Sequence, residues 1–208
     1  MLQGVAGLHD SSFRVEGDRI VAGTYGAAAV AAGGEVLLRG ICPSDLKVPL
    51  EEFQKAGAAV DADEENCQIR ICMRKRPLPL LIKTEPYPGF PTDLQSPFMA
   101  FLATAQGTSY IEEQVFEGRF ATAKILEQMG AVIRTEDQRA VIEGHYPLKG
   151  AAVNACDLRG GAALMVAALA AEGDTFIGEC HHIERGYEDI CRDMAALGAH
   201  IRWVGKDS

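Results

Sequence analysis

Apolar and polar positions run through three similar cycles along this chain. Each cycle opens with an aspartate and a run of small apolar residues long enough for a helix. A glycine and a short strand-like stretch follow, then a helix of mixed polarity ending in Gly-Ala-x-apolar. The aspartates are Asp18, Asp93 and Asp157, spaced 75 and 64 residues apart. The terminal motifs are Gly57-Ala58-Ala59-Val60, Gly130-Ala131-Val132-Ile133 and Gly198-Ala199-His200-Ile201, with glycines 73 and 68 apart. The glycines closing the apolar runs, Gly34, Gly107 and Gly173, are spaced 73 and 66. Three markers agreeing on one period indicate an internal repeat. Repeats over about 14–73, 89–144 and 153–205 then form one domain spanning 1–208.

The first helix of each repeat, over 22–32, 94–105 and 160–171, carries no charge. A helix that is apolar on every side must be buried on every side. The second helices, over 49–56, 121–129 and 187–197, mix charged and apolar positions and need only one buried face. Runs at 35–39, 68–72, 109–111, 140–142, 175–177 and 200–204 predict strands. The expected fold is an inside-out α/β domain of three units, with helices inside and sheets outside. Gly57, Gly130 and Gly198 suit left-handed positions at helix ends. Residues 74–88 form a proline-rich connector, and five prolines fall within 77–91. Its triplet Arg74-Lys75-Arg76 reads as a solvated turn, with a phosphate-binding patch as the alternative.

Composition adds exclusions. With 208 residues, 48% hydrophobic and 24% charged, the chain can bury a sizeable core. Twenty basic against 29 acidic side chains give a net charge of −9, which argues against nucleic acid or an anionic membrane as partner. A few local arginines can still hold a small anion. The six cysteines form no C-x-x-C pair and no Cys/His spacing fits zinc, so idle thiols in a reducing cytosol are expected and no metal site. Residues 1–12 lack the basic and apolar regions of a signal peptide. The uncharged run 160–171 is 12 residues, too short to span a bilayer. A cytoplasmic location is expected.

The arginines carry the sharpest chemical signal. Arg159 follows Asp157 at the start of an apolar helix, and Arg119 and Arg185 are read as opening second helices. A cation in a first turn opposes the helix dipole at a cost of about 0.3–1 kcal/mol. Three such placements suggest a bound anion, because arginine and a helix N-terminus together suit phosphate or carboxylate. The alternative is salt bridging to Glu117, Glu184 or Asp157. The three aspartates suit N-caps, worth roughly 1 kcal/mol each. An ionised capping carboxylate can also serve as a base, so both roles stay open. No nucleophile elbow, Walker loop or dinucleotide fingerprint is present.

One segment goes further. Lys83-Thr84-Glu85-Pro86-Tyr87-Pro88-Gly89-Phe90-Pro91-Thr92-Asp93 closely resembles the UDP-N-acetylglucosamine enolpyruvyl transferase family. So do Glu117-x-Arg119-Phe120, Asp157-Leu158-Arg159, Glu184-Arg185-Gly186-Tyr187-Glu188 and the opening Asp18-Arg19-Ile20. The similarity runs from about Gly4 to Val204, and the Pro-Gly-Phe-Pro-Thr-Asp block sets this family apart from the shikimate-pathway relative. The resemblance implies two inside-out domains in a whole member, each of three units, with substrates in the cleft between. It covers only the C-terminal half. The other half carries a lysine that contacts phosphoenolpyruvate and a mobile loop with a catalytic cysteine or aspartate, so an N-terminal transferase half, in cis or in trans, is the implied partner.

The implied reaction moves the enolpyruvyl group of phosphoenolpyruvate to the 3-hydroxyl of UDP-N-acetylglucosamine and releases phosphate, with no cofactor. By resemblance Asp93 is the candidate base and Asp157 assists proton transfer. Thr92, Val115 and Phe116 border the nucleotide-sugar. Arg119, Arg159 and Arg185 sit in the cleft, with Arg185 closing on phosphoenolpyruvate and Arg119 as a second candidate. The alternative is a non-catalytic nucleotide-sugar or anion-binding module derived from the same domain. Gly118 stands where asparagine is common, Gly160-Gly161 replaces a pair often containing serine, and Val21 replaces an acidic residue. These departures suggest a loosened cleft or altered contacts between the halves.

Overall fold

The computed structural model describes residues 3–5 and 7–205. Of the segment read for a signal peptide, Met1, Leu2 and Ala6 lie outside the described residues, as do positions 206–208.

The first cycle comprises α1 (Arg19–Ala32), β1 (Glu35–Arg39), a 3-10 turn at Pro43–Leu46 leading into α2 (Lys47–Lys55), then β2 (Ala59–Asp63) and β3 (Gln68–Cys72). The connector itself contributes β4 (Leu81–Lys83), and after it come a 3-10 turn at Thr92–Leu94, α3 (Gln95–Leu102), β5 (Thr108–Glu112), α4 (Ala121–Gln128), β6 (Val132–Glu136) and β7 (Arg139–Glu143). The last part holds β8 (Leu148–Lys149), β9 (Ala152–Asn154), α5 (Leu158–Leu169), β10 (Ala171–Glu172), β11 (Phe176–Gly178), α6 (His181–Glu184) and α7 (Ile190–Ala196).

The helices α1, α3 and α5, charged only at Arg19 and Arg159 in their first turns, pack on one another in all three pairs. Every residue of α3 is buried. Alanines and glycines let the backbones approach closely. A Cβ on Gly23 would fall 2.4 Å from Leu94, and one on Gly161 would fall 2.4 Å from Ile183. A Cβ on Gly160 would meet the Cys156 sulfur at 2.8 Å. Both glycines of the Gly160-Gly161 pair are therefore packing positions, and the expected loosening is not seen there. Phe53, Phe90, Phe98 and Phe101 form a ring cluster beside the helices, with Phe53 and Phe98 stacked at 4.7 Å between centroids. One continuous core runs from Ile20 to Met194.

Sheets lie outside this helical centre. β1, β3 and β2 form an antiparallel sheet in that order, and β5, β7 and β6 form another, to which β4 adds in parallel beside β5. β9 and β11 pair in parallel, as do β8 and β10. In the first two sheets the strand after the second helix, β2 or β6, bonds only to the strand that follows it. Residues 200–204 were expected to be a strand and are not one. Among the described residues no such following strand exists for them, so they have no ladder to join.

The connector's basic triplet is not wholly solvated either. Arg76 donates from Nε to the Thr104 carbonyl at 2.9 Å and from Nη2 to the Ala105 carbonyl at 2.6 Å, satisfying groups left open after α3. Arg74 pairs with Glu35 at 2.9 Å.

Candidate active site

The three matching aspartates have different fates. Asp18 caps α1, accepting from the Ile20 and Val21 amides at 2.7 and 3.2 Å. Asp157 caps α5 through the Gly160 amide at 2.7 Å. Asp93 makes no cap. The chain tightens into the 3-10 turn at Thr92–Leu94 first, and α3 begins after Leu94 without a side-chain cap. The Asp93 carboxylate is thereby left for partners across the fold. Arg119 Nη2 donates to its Oδ1 at 3.0 Å, and Arg159 Nη2 donates to its Oδ2 at 2.9 Å.

This cluster joins residues from three separate segments. Asp93 lies before α3, Arg119 two positions before α4, and Arg159 in the first turn of α5. Arg119 and Arg159 do form salt bridges, but to Asp93 rather than to Glu117 or Asp157. Two guanidiniums around one carboxylate leave a net charge of +1, which favours an anionic ligand. An ionised carboxylate has about four acceptor positions, so the two arginine bonds leave room for a ligand hydroxyl. The Asp93 side chain keeps 36% of its surface and Arg159 only 16%, so the carboxylate is the more open member.

Arg185 does not open a helix. It follows α6 and precedes α7 by five positions, and it is exposed. The second helix starts later than expected because Asp189 caps it, accepting from the Arg192 amide at 3.0 Å. Tyr187, expected in that helix, is instead 3% exposed, with its hydroxyl 2.8 Å from Thr24 Oγ1. Burial pushes the Tyr187 hydroxyl above its ordinary value, against the pull of Thr24 and the nearby Arg159 charge. Arg119 likewise stands outside its helix, with Phe120 between. The argument from three first-turn cations therefore holds for Arg159 alone.

Sequence reasoning missed Glu113, which organises the rest. Its side chain is buried, with the residue 1% exposed. Oε1 accepts from Thr84 Oγ1 at 2.7 Å and from the Val115 and Phe116 amides at 3.0 and 3.1 Å. Oε2 accepts from Thr92 Oγ1 at 2.8 Å. One carboxylate thus ties the turn carrying Asp93 to the loop carrying Phe116. The Thr92 hydroxyl and Val115 amide are committed to it. Phe116 is 52% exposed, and the Arg119 guanidinium sits 5.0 Å over its ring. The strand period could have found Glu113. Ser109 and Ile111 face inward in β5, and 113 continues that face. A carboxylate there must be fully hydrogen bonded. Gly118 lies in the same loop at φ 68, a backbone that glycine and asparagine both tolerate.

Comparison with known proteins agrees with this architecture. The EPSP synthase (3-phosphoshikimate 1-carboxyvinyltransferase) family model matches residues 1–194. A UDP-N-acetylglucosamine 1-carboxyvinyltransferase of Desulfofundulus thermocisternus is 47% identical over 185 residues, covering 88% of this chain and 75% of that protein. The Hyphomonas neptunium protein of the same name is 43% identical over 201 residues, covering 96% of this chain and 47% of its own length. The enolpyruvyl transferase NikO of Streptomyces tendae superposes with a TM-score of 0.80 at 30% identity, over 90% of this chain and 44% of NikO. The chain belongs to the enolpyruvyl transferase family that this model defines, on the branch of the UDP-N-acetylglucosamine 1-carboxyvinyltransferases. It spans about half the length of several of the curated relatives it matches.

Proposed function

We propose that this chain forms one wall of the cleft of a cytoplasmic UDP-N-acetylglucosamine 1-carboxyvinyltransferase, completed by an N-terminal half in cis or in trans. The three cycles act as one domain, with 74–88 as the connector. The observation that carries the reading is Asp93, held between Arg119 and Arg159 with two acceptor positions to spare. In this reading the sugar 3-hydroxyl donates to Asp93, which takes its proton as the enolpyruvyl group is transferred and phosphate departs. Arg119 and Arg159 offset the anionic charge of phosphoenolpyruvate in a site that closure dries. Arg185, exposed and two residues from buried Tyr187, is free to swing onto the phosphate or carboxylate. Asp157 is engaged as the cap of α5, so its part in the reaction is to hold the first turn that carries Arg159. A nucleotide-sugar bordering the 115–116 loop meets the Val115 carbonyl and the Phe116 ring, because both amides are already bound to Glu113.

The test is phosphate release from phosphoenolpyruvate and UDP-N-acetylglucosamine, with this chain alone and after adding the N-terminal half of a relative. Turnover only on mixing supports the proposal. Turnover by the chain alone, or none with a folded partner half, overturns it.

A further inference from the structure

The first cycle places two thiols in contact at a point the enolpyruvyl chemistry does not use. Cys42 leads into the 3-10 turn after β1, and Cys67 sits in the turn between β2 and β3. Their sulfurs are 3.1 Å apart. The two segments are already fastened by backbone bonds, since the Gly40 and Ile41 amides both donate to the Cys67 carbonyl, at 2.9 and 3.3 Å. Cys67 holds φ 50, a left-handed backbone that a β-carbon disfavours. Both residues are only partly buried, so a small reagent can reach them.

We propose that Cys42 and Cys67 are a modification site, a dithiol that closes to an intramolecular disulfide by exchange with a small disulfide such as oxidised glutathione. The first step is attack of the Cys67 thiolate on glutathione disulfide, which releases one glutathione thiolate and leaves a mixed disulfide on Cys67. Cys42, once deprotonated, attacks the Cys67 sulfur and expels the second glutathione. Two protein thiols are oxidised and one glutathione disulfide is reduced to two thiols. The order follows from the surroundings. The hydrogen bond with Cys67 pushes the Cys42 thiol up to about 11, assisted by burial and by the charges of Asp45 and Glu16. Cys42 is therefore the poorer first nucleophile and the natural resolving thiol. The link would lock the β2–β3 turn to the segment whose Gly40 carbonyl accepts from the Gly17 amide at 3.1 Å, just ahead of α1.

The experiment needs only this chain. It is incubated with a series of reduced-to-oxidised glutathione ratios, alkylated, and read by intact mass and tryptic mapping. The expected product retains four of its six cysteines as alkylatable thiols and joins the peptides 40–47 and 56–70. Cys42→Ser should accumulate one glutathione on Cys67, because the resolving thiol is gone. Cys67→Ser should form no link and carry at most one glutathione, on Cys42, since the partner that raises its thiol is gone. The proposal is overturned if both peptides stay unlinked in oxidised glutathione alone, or if a different cysteine pair accounts for the loss. These readouts do not depend on transferase activity, so they stand or fall separately from the proposed function.

Discussion

At the scale of single residues, three of the expected site residues converge and one unexpected residue holds them. Asp93, Arg119 and Arg159 were legible because each lies in a short motif of distinct chemistry. Glu113 was legible only as a position on the inward face of β5, and its role was not, because its four partners come from three places in the chain, the furthest 29 residues away. Two substitutions separate chemistry from support. Asp93→Asn keeps the shape and removes the base, so turnover of the mixed halves should fall roughly 10²–10⁴-fold. The urea midpoint of the chain should drop modestly, because one arginine loses its acceptor in a partly exposed site. Glu113→Gln turns charge-assisted bonds into neutral ones and makes the Thr92 hydroxyl accept where it had donated, at a cost of about 1–3 kcal/mol. Its urea midpoint should drop clearly. A midpoint equal to that of the unaltered chain would mean that Glu113 does not hold the Asp93 turn and the Phe116 loop together.

At the scale of elements, what the sequence misplaced was decided by caps and ladders rather than by hydrophobic pattern. The helix over 187–197 shrank to α7 because Asp189 out-competes Tyr187 as its start. Strand β2 escaped the pattern because its run Ala59-Val60-Asp61-Ala62-Asp63 is mostly exposed and rich in aspartate, which strands disfavour. It is a strand because β3 offers it a full ladder, from Ala59 opposite Cys72 to Asp63 opposite Gln68. Backbone handedness explains a family departure in the same way. At Gly118, φ is 68 and a Cβ would meet nothing within 4 Å. The constraint is therefore the dihedral and not space. Gly118→Asn should be tolerated, whereas Gly118→Val should cost roughly 1–2 kcal/mol. Thermal melts of the two variants check this, and equal losses would mean that the loop can change its backbone.

At the scale of the whole molecule, the fold closes on itself when the last segments reach back to α1. Tyr25 on α1 donates to Asp193 Oδ2 on α7 at 2.9 Å, and Thr24, one residue earlier, meets Tyr187. These polar ties span 168 and 163 residues of sequence, so no local pattern announced them. They also make the closure sensitive to pH. Burial, then the bond and charge of Asp193, push the Tyr25 hydroxyl well above the ordinary tyrosine range. The folded state therefore holds this proton more tightly than the unfolded chain, in which tyrosine titrates near 10. A group raised in this way contributes its full stability below about pH 10 and loses it as the pH climbs beyond that value. The chain should therefore weaken steeply in alkali. Tyr25→Phe has no proton to lose. At neutral pH it should be less stable by about 1.5–3 kcal/mol, because a bond to a charged acceptor is gone. Above pH 10 its stability should fall less steeply, with Tyr187 supplying what slope remains. Urea midpoints measured from pH 7 to 11 for both proteins should converge toward the alkaline end. Parallel curves would show that the contact between α1 and α7 does not govern the alkaline response.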